Sequence, residues 1–184
     1  MTAQPHEPLT GAEFPTWELG QQSKHEFVDG HVYSFAGGTT EHNAIAMIVA
    51  AKILPAALPC RTYGSDMLIE MATSVRYADV VVTCDERDRV RGRATIQYPK
   101  LIIEILLEST ARDDLGSKMR EYQTIGTLEE YVLIDSRKRW AQAVRRHPTS
   151  WTLEQPVGGG LLELRSVAVA IDLDDLYAAG GVPV

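Results

Sequence analysis

The residues with the clearest chemical potential are Asp79, Glu104 and Lys118. Glu104 stands in the middle of residues 100–107, a short apolar run rich in β-branched side chains that reads as a strand buried on both faces. An ionised carboxylate there costs free energy unless a cation or several donors meet it. Asp79 enters a second, valine-rich strand over residues 74–84, 25 residues before Glu104 (104 − 79). Lys118 follows Glu104 by 14 residues, on the next predicted helix. Two carboxylates, completed by water and phosphate oxygens, are a usual way to hold Mg²⁺. A nearby ammonium stabilises charge developing on a phosphate or positions the attacking water. Each residue also has a plainer reading. Glu104 can be half of a buried ion pair with Lys118, and Asp79 a strand-end acid capping backbone amides.

The elements that must position these groups follow from the pattern. Asp29-Gly30 between two alternating runs predicts a β-hairpin, with Glu26 in its first strand. Thr39 or Thr40 caps a predicted helix over residues 41–58, whose apolar face is Ile45, Ile48, Val49 and Ile53. His42 at its start reads as structural or exposed, at most an accessory. Residues 74–84 read as one strand, and the charge-dense residues 85–97 as a solvated loop, since Glu86 and Asp88 interleave its arginines. Ser109 or Thr110 caps a predicted helix over residues 111–125, with Leu115, Met119, Tyr122 and Ile125 as its buried stripe and Lys118 flanking it. Asp113 and Asp114 need only be helix-start acids. Residues 130–135 form a further strand paired in a hairpin with 139–146. Residues 151–155 and 161–164 suggest an edge hairpin across Gly158-Gly159-Gly160, and Asp172 caps a last short helix. Hairpins dominate, so the sheet is mixed: an α/β fold of the α+β mixed-sheet kind, with flanking helices and extra β-hairpins.

Composition narrows the classes. The 184 residues make one ordinary domain, expected over residues 10–184 behind a flexible arm at 1–9. A net charge of −7 argues against coating nucleic acid by bulk charge, but not against a local contact. No apolar stretch approaches a membrane span. Cys60 and Cys84 form no metal-spacing motif, so free thiols in a cytoplasmic protein are the simplest expectation. No serine or cysteine nucleophile signature, glycine-rich phosphate loop or zinc motif is visible.

At residues 101–110, followed by Asp113, Lys118, Tyr122, Gly126 and the run 130–135, the chain resembles the Uma family of restriction-endonuclease-like proteins, within the PD-(D/E)xK nuclease superfamily. The resemblance reaches back to Phe27-Val28-Asp29-Gly30 and forward to residues 171–176. It implies a restriction-endonuclease-like core and a Mg²⁺-dependent phosphodiesterase centre, in which Mn²⁺ can substitute. It aligns Asp79 and Glu104 with the metal-binding acids, Glu26 with an acid that often completes the site, and Lys118 with the lysine. The superfamily's lysine normally lies two residues after the second acid, where this chain has Leu106; the family supplies it from the next helix. Ala78 replaces the family's proline before the first acid, and Leu107-Glu108 replaces Ser-Pro, adding an acid near the site. Nucleic acid, DNA first, is the implied partner, with a homodimer to serve two strands. The alternative is a catalytically inactive nuclease-fold protein acting as a binding or oligomerisation module.

Overall fold

The structure is a computed structural model that describes residues 2–4, 9–34 and 37–183, the first three by backbone alone. In chain order the elements are β1 (Thr2–Gln4), α1 (Phe14–Glu18), β2 (His25–Val28), β3 (His31–Ser34), α2 (Thr40–Ala56), β4 (Arg61–Tyr63), β5 (Leu68–Glu70), β6 (Ser74–Tyr77), β7 (Val80–Thr83), β8 (Thr95–Ile96) and β9 (Leu101–Leu106). Then come α3 (Ala111–Asp113), a π-helical turn (Asp114–Lys118), α4 (Met119–Tyr122), β10 (Glu130–Asp135), β11 (Ala141–Arg146), β12 (Trp151–Leu153), β13 (Leu161–Leu164), β14 (Val169–Asp172) and α5 (Leu173–Ala179). Of the expected arm at 1–9, residues 2–4 form β1 on the edge of β3, while residues 1 and 5–8 lie outside the described residues. No helix among the described residues is long and apolar enough to cross a membrane.

The described residues form two six-stranded sheets, ordered β1-β3-β2-β6-β5-β8 and β12-β11-β10-β9-β7-β4, and a two-stranded sheet of β13 and β14. The second is the central one. Its middle pair, β9 and β10, is parallel, and antiparallel neighbours flank it. All six side chains of β9 are buried, because both faces are covered. On one face Leu101, Ile103 and Ile105 pack against Ile45, Val49 and Ile53 of α2 and Leu176 of α5. The three α2 residues recur every four positions, so one stripe of that helix points inward. On the other face Ile102 and Leu106 meet Tyr122, Ile125 and, from the first sheet, Ile69 and Ile96. The period-2 alternation of a strand therefore puts Glu104 on this second face, with Ile102 and Leu106. A third, smaller core of Phe14, Phe27, Val32, Leu68 and Val75 lies between α1 and the first sheet.

Several elements match the sequence pattern. Asp29 and Gly30 turn with φ of 46° and 84°, as a two-residue hairpin requires. The Thr39 hydroxyl accepts from the His42 N–H to cap α2, and Asp172 accepts from the amides of Asp174 and Asp175 to cap α5.

Four expectations are corrected. Residues 74–84 are two strands, because β6 pairs with β2 and β5 while β7 pairs with β4 and β9. The chain changes sheet at Ala78-Asp79. Residues 151–155 and 161–164 do not pair with each other: β12 joins β11, and β13 joins β14. The charged loop over 85–97 is not wholly solvated, since Asp88 is buried and accepts from Thr83 and from the amides of Gln97 and Tyr98. Finally, Cys60 and Cys84 form a disulfide. The β4–β7 register, Arg61↔Thr83, carried one residue on, sets the two cysteines opposite each other.

Candidate active site

The change of sheet at Ala78-Asp79 and the strand β9 bring the predicted acids together. The β7–β9 register Val80↔Ile103, carried one residue on, sets Asp79 across from Glu104. Opposite residues of an antiparallel pair project to the same face. The Ile105 N–H reaches Asp79 Oδ2 at 2.7 Å, which ties the corner to β9. Asp79, Glu104, Glu26 and Lys118 all line one cavity of about 450 Å³, together with His42 and Asp114.

Lys118 reaches this cavity through the π turn. A regular helix would bury Leu115, yet Leu115 is 40% exposed while Asp114 and Lys118 are 2% and 7% exposed. The wider turn shifts the inward stripe by one residue, to Asp114, Lys118 and Tyr122, replacing the expected start at Leu115. The Lys118 ammonium lies 3.2 Å from Glu26 Oε1, 3.3 Å from Glu104 Oε1 and 3.4 Å from Asp114 Oδ1, and donates to the Tyr77 carbonyl at 3.2 Å. Tyr122 donates its hydroxyl proton to Glu104 Oε1 at 3.1 Å. Glu104 thus has an ammonium and a phenol on one oxygen.

The first sheet supplies the rest. Glu26 on β2 accepts from the Tyr77 N–H with Oε1 and from Arg76 Nη1 with Oε2, so both its oxygens are engaged. Arg76 is a fully enclosed guanidinium that also donates to Asp113 and, through two nitrogens, to Glu121. Its planar fork suits a bidentate carboxylate. His42 Nε2 lies 3.1 Å from Asp79 Oδ2.

Burial raises Glu104 well above the usual carboxylate range; Lys118 opposes the rise, and Asp114, Asp79 and Glu26 add to it. Asp114 is raised for the same first cause. Burial disfavours the Lys118 charge, but Glu104, Glu26 and Asp114 outweigh it and hold the amine protonated well above its ordinary value. The site carries more acid than base, and its surplus is held at the cost of desolvation.

A divalent cation was expected here, and the donor set suits one chemically. Asp79 and Glu104 offer hard oxygens to a single cavity, and the buried Asp114 Oδ1 has no hydrogen-bond partner among the described residues, its neighbour there being the Lys118 ammonium at 3.4 Å. No group of three or more His, Cys, Asp or Glu side chains among the described residues is gathered as a ready metal cage. Mg²⁺ does not demand one, since it keeps several waters and takes one or two carboxylates.

Sequence reasoning undervalued four residues. Arg76, an arginine in a core strand, carried the same signal as Glu104: a charge where apolar side chains surround it. Asp114 was hidden by the π turn, and Glu121 by its place on an ordinary helix face. His42 gave only a lone imidazole after a cap. The added Glu108 is exposed and is absent from the cavity lining, whereas Leu107 lines it.

With this geometry in hand, comparison with known proteins is direct. Residues 12–174 match the family model Uma2, described as "Putative restriction endonuclease". An uncharacterized protein of Synechocystis sp., slr1290, is 30% identical over 178 residues, covering 94% of this chain and 93% of its own length. A second from that organism, sll1609, is 34% identical over 133 residues, covering 69% of this chain and 75% of its own length. A crystal structure from Anabaena variabilis, described as a "putative nuclease belonging to DUF820", superposes with a TM-score of 0.74 at 18% identity, covering 94% of this chain and 99% of that one. That likeness establishes the mixed α/β fold. The chain belongs to the Uma2 family.

Proposed function

We propose that the chain is a Mg²⁺-dependent endonuclease hydrolysing phosphodiester bonds of nucleic acid, DNA foremost, with Mn²⁺ able to replace Mg²⁺. One observation carries this reading: acids from three strands and corners far apart in sequence, with one ammonium, line a single cavity. Asp79 and Glu104 would hold the ion. When bound, it supplies Lewis acidity at the scissile phosphate. Lys118 keeps a positive charge beside that phosphate, secured by the carboxylates that surround it. Glu26 fixes the ammonium and takes its own place from Arg76, since neither of its oxygens is open. Two copies of the chain would serve the two strands of a duplex.

The test is incubation of the protein with single- and double-stranded DNA and RNA in Mg²⁺ or Mn²⁺. Cleavage by the unaltered protein, lost in Glu104→Gln with the fold intact by circular dichroism, is the expected result. A second reading has its own support: Lys118 already neutralises Glu104 without any ion, as in a binding or oligomerisation module that keeps the fold but not the reaction. Failure of the unaltered protein to cut any of these substrates with either ion decides for that reading.

A further inference from the structure

We propose that His42 is a positioning residue for Asp79: with the Ile105 amide it occupies one carboxylate oxygen, so that the other is presented to a divalent cation. This deepens the metal reading above and rests on it.

The geometry is specific. His42 Nε2 lies 3.1 Å from Asp79 Oδ2, and the Ile105 N–H meets the same oxygen at 2.7 Å. No described residue hydrogen-bonds Oδ1. A carboxylate held by two donors on one oxygen cannot swing, and its second oxygen points where the first does not. The donor role assigns the proton to Nε2. His42 and Asp79 line the same cavity, each side chain only 14% exposed.

The imidazole is itself held in place. The His42 backbone N–H is capped by Thr39 Oγ1 at 3.3 Å, which fixes the residue at the start of α2. On the ring's other side, a Cβ built on Gly38 would fall 2.4 Å from Nδ1 and 2.7 Å from Cγ. Any side chain at position 38 would therefore push the ring off its site. Gly38 leaves room for the ring to stand against Asp79, which ties α2 to that corner, while the Ile105 amide ties the corner to β9. Hydrogen-bond partners of ligating groups of this kind are worth about 10–100-fold in metal affinity.

The experiment is calorimetric titration of Mn²⁺ into the metal-free full-length protein, with no nucleic acid present, alongside thermal unfolding without metal. His42→Ala should weaken Mn²⁺ binding about 10–100-fold. His42→Gln, which keeps an N–H donor, should recover most of the loss. Gly38→Ala should weaken binding although the imidazole remains, because the ring is displaced. Mn²⁺ affinity in His42→Ala equal to that of the unaltered protein overturns the inference alone. Should His42→Ala fail to fold, unchanged affinity in Gly38→Ala overturns it in the same way. Absence of Mn²⁺ binding to the unaltered protein overturns the metal reading, and this inference with it.

Discussion

Replacing Lys118 with methionine isolates the charge at the centre of the site. Methionine keeps the apolar stem and removes the ammonium, leaving Glu104 and Asp114 buried without their cation; Glu26 retains Arg76. Breaking a buried pair in this way costs about 3–5 kcal/mol. The cost falls on folding as well as on the site, because the side chain is only 7% exposed and meets three acids. The loss should depend on pH. Burial raises Glu104 and Asp114, and Lys118 is what holds them down, so both rise further in the variant. A carboxyl raised in the folded state binds its proton more tightly there than in the unfolded chain. Its stabilising contribution is therefore present below the unfolded value and is lost as pH rises through the folded one. The deficit of Lys118→Met relative to the unaltered protein should be largest at pH 7–8 and shrink toward pH 5. Urea unfolding at pH 5, 6, 7 and 8 measures it, with a midpoint shift of roughly 2 M at neutral pH. Equal midpoints at pH 7, or a deficit of one size across the whole range, would refute the reasoning.

Three further outcomes follow from the packing. Arg76→Met removes the guanidinium that Glu26, Asp113 and Glu121 share, leaving Glu26 only Lys118 and the Tyr77 amide, and should lower stability by about 3–5 kcal/mol in denaturant melts. Ile53→Ala opens a void under α2 where the side chain is wholly buried; a loss of about 2–5 kcal/mol is expected from the same melts, with the circular dichroism spectrum unchanged. Reducing the Cys60–Cys84 bond, or replacing both cysteines with serine, frees a 24-residue separation and should cost on the order of 3 kcal/mol by thermal unfolding.

Much of the site was legible because a charge inside an apolar run is a local signal. Glu104 and Asp79 stood out for that reason, and the strands around them needed only the period-2 pattern. Lys118 was legible as a cation flanking the apolar stripe of the helix that follows the strand. Its route inward was not, since nothing local distinguishes a π turn from a regular one in Asp114–Lys118. Partners across long loops were equally hidden. The β4–β7 pairing that joins the cysteines, the switch of sheet at Ala78-Asp79, and the separate partners of β12 and β13 are choices made by tertiary packing. Arg76 shows a signal that was present but unused: its alternation placed it among core residues, and only the folded chain reveals the three acids around it.

The most direct measurement is a crystal of the full chain soaked in Mn²⁺, with anomalous scattering used to find the ion. An anomalous peak bonded to a carboxylate oxygen of both Asp79 and Glu104, absent from Asp79→Asn crystals, is the predicted result. Saturating Mn²⁺ that leaves no peak in that cavity, or a peak ligated by neither acid, would contradict it.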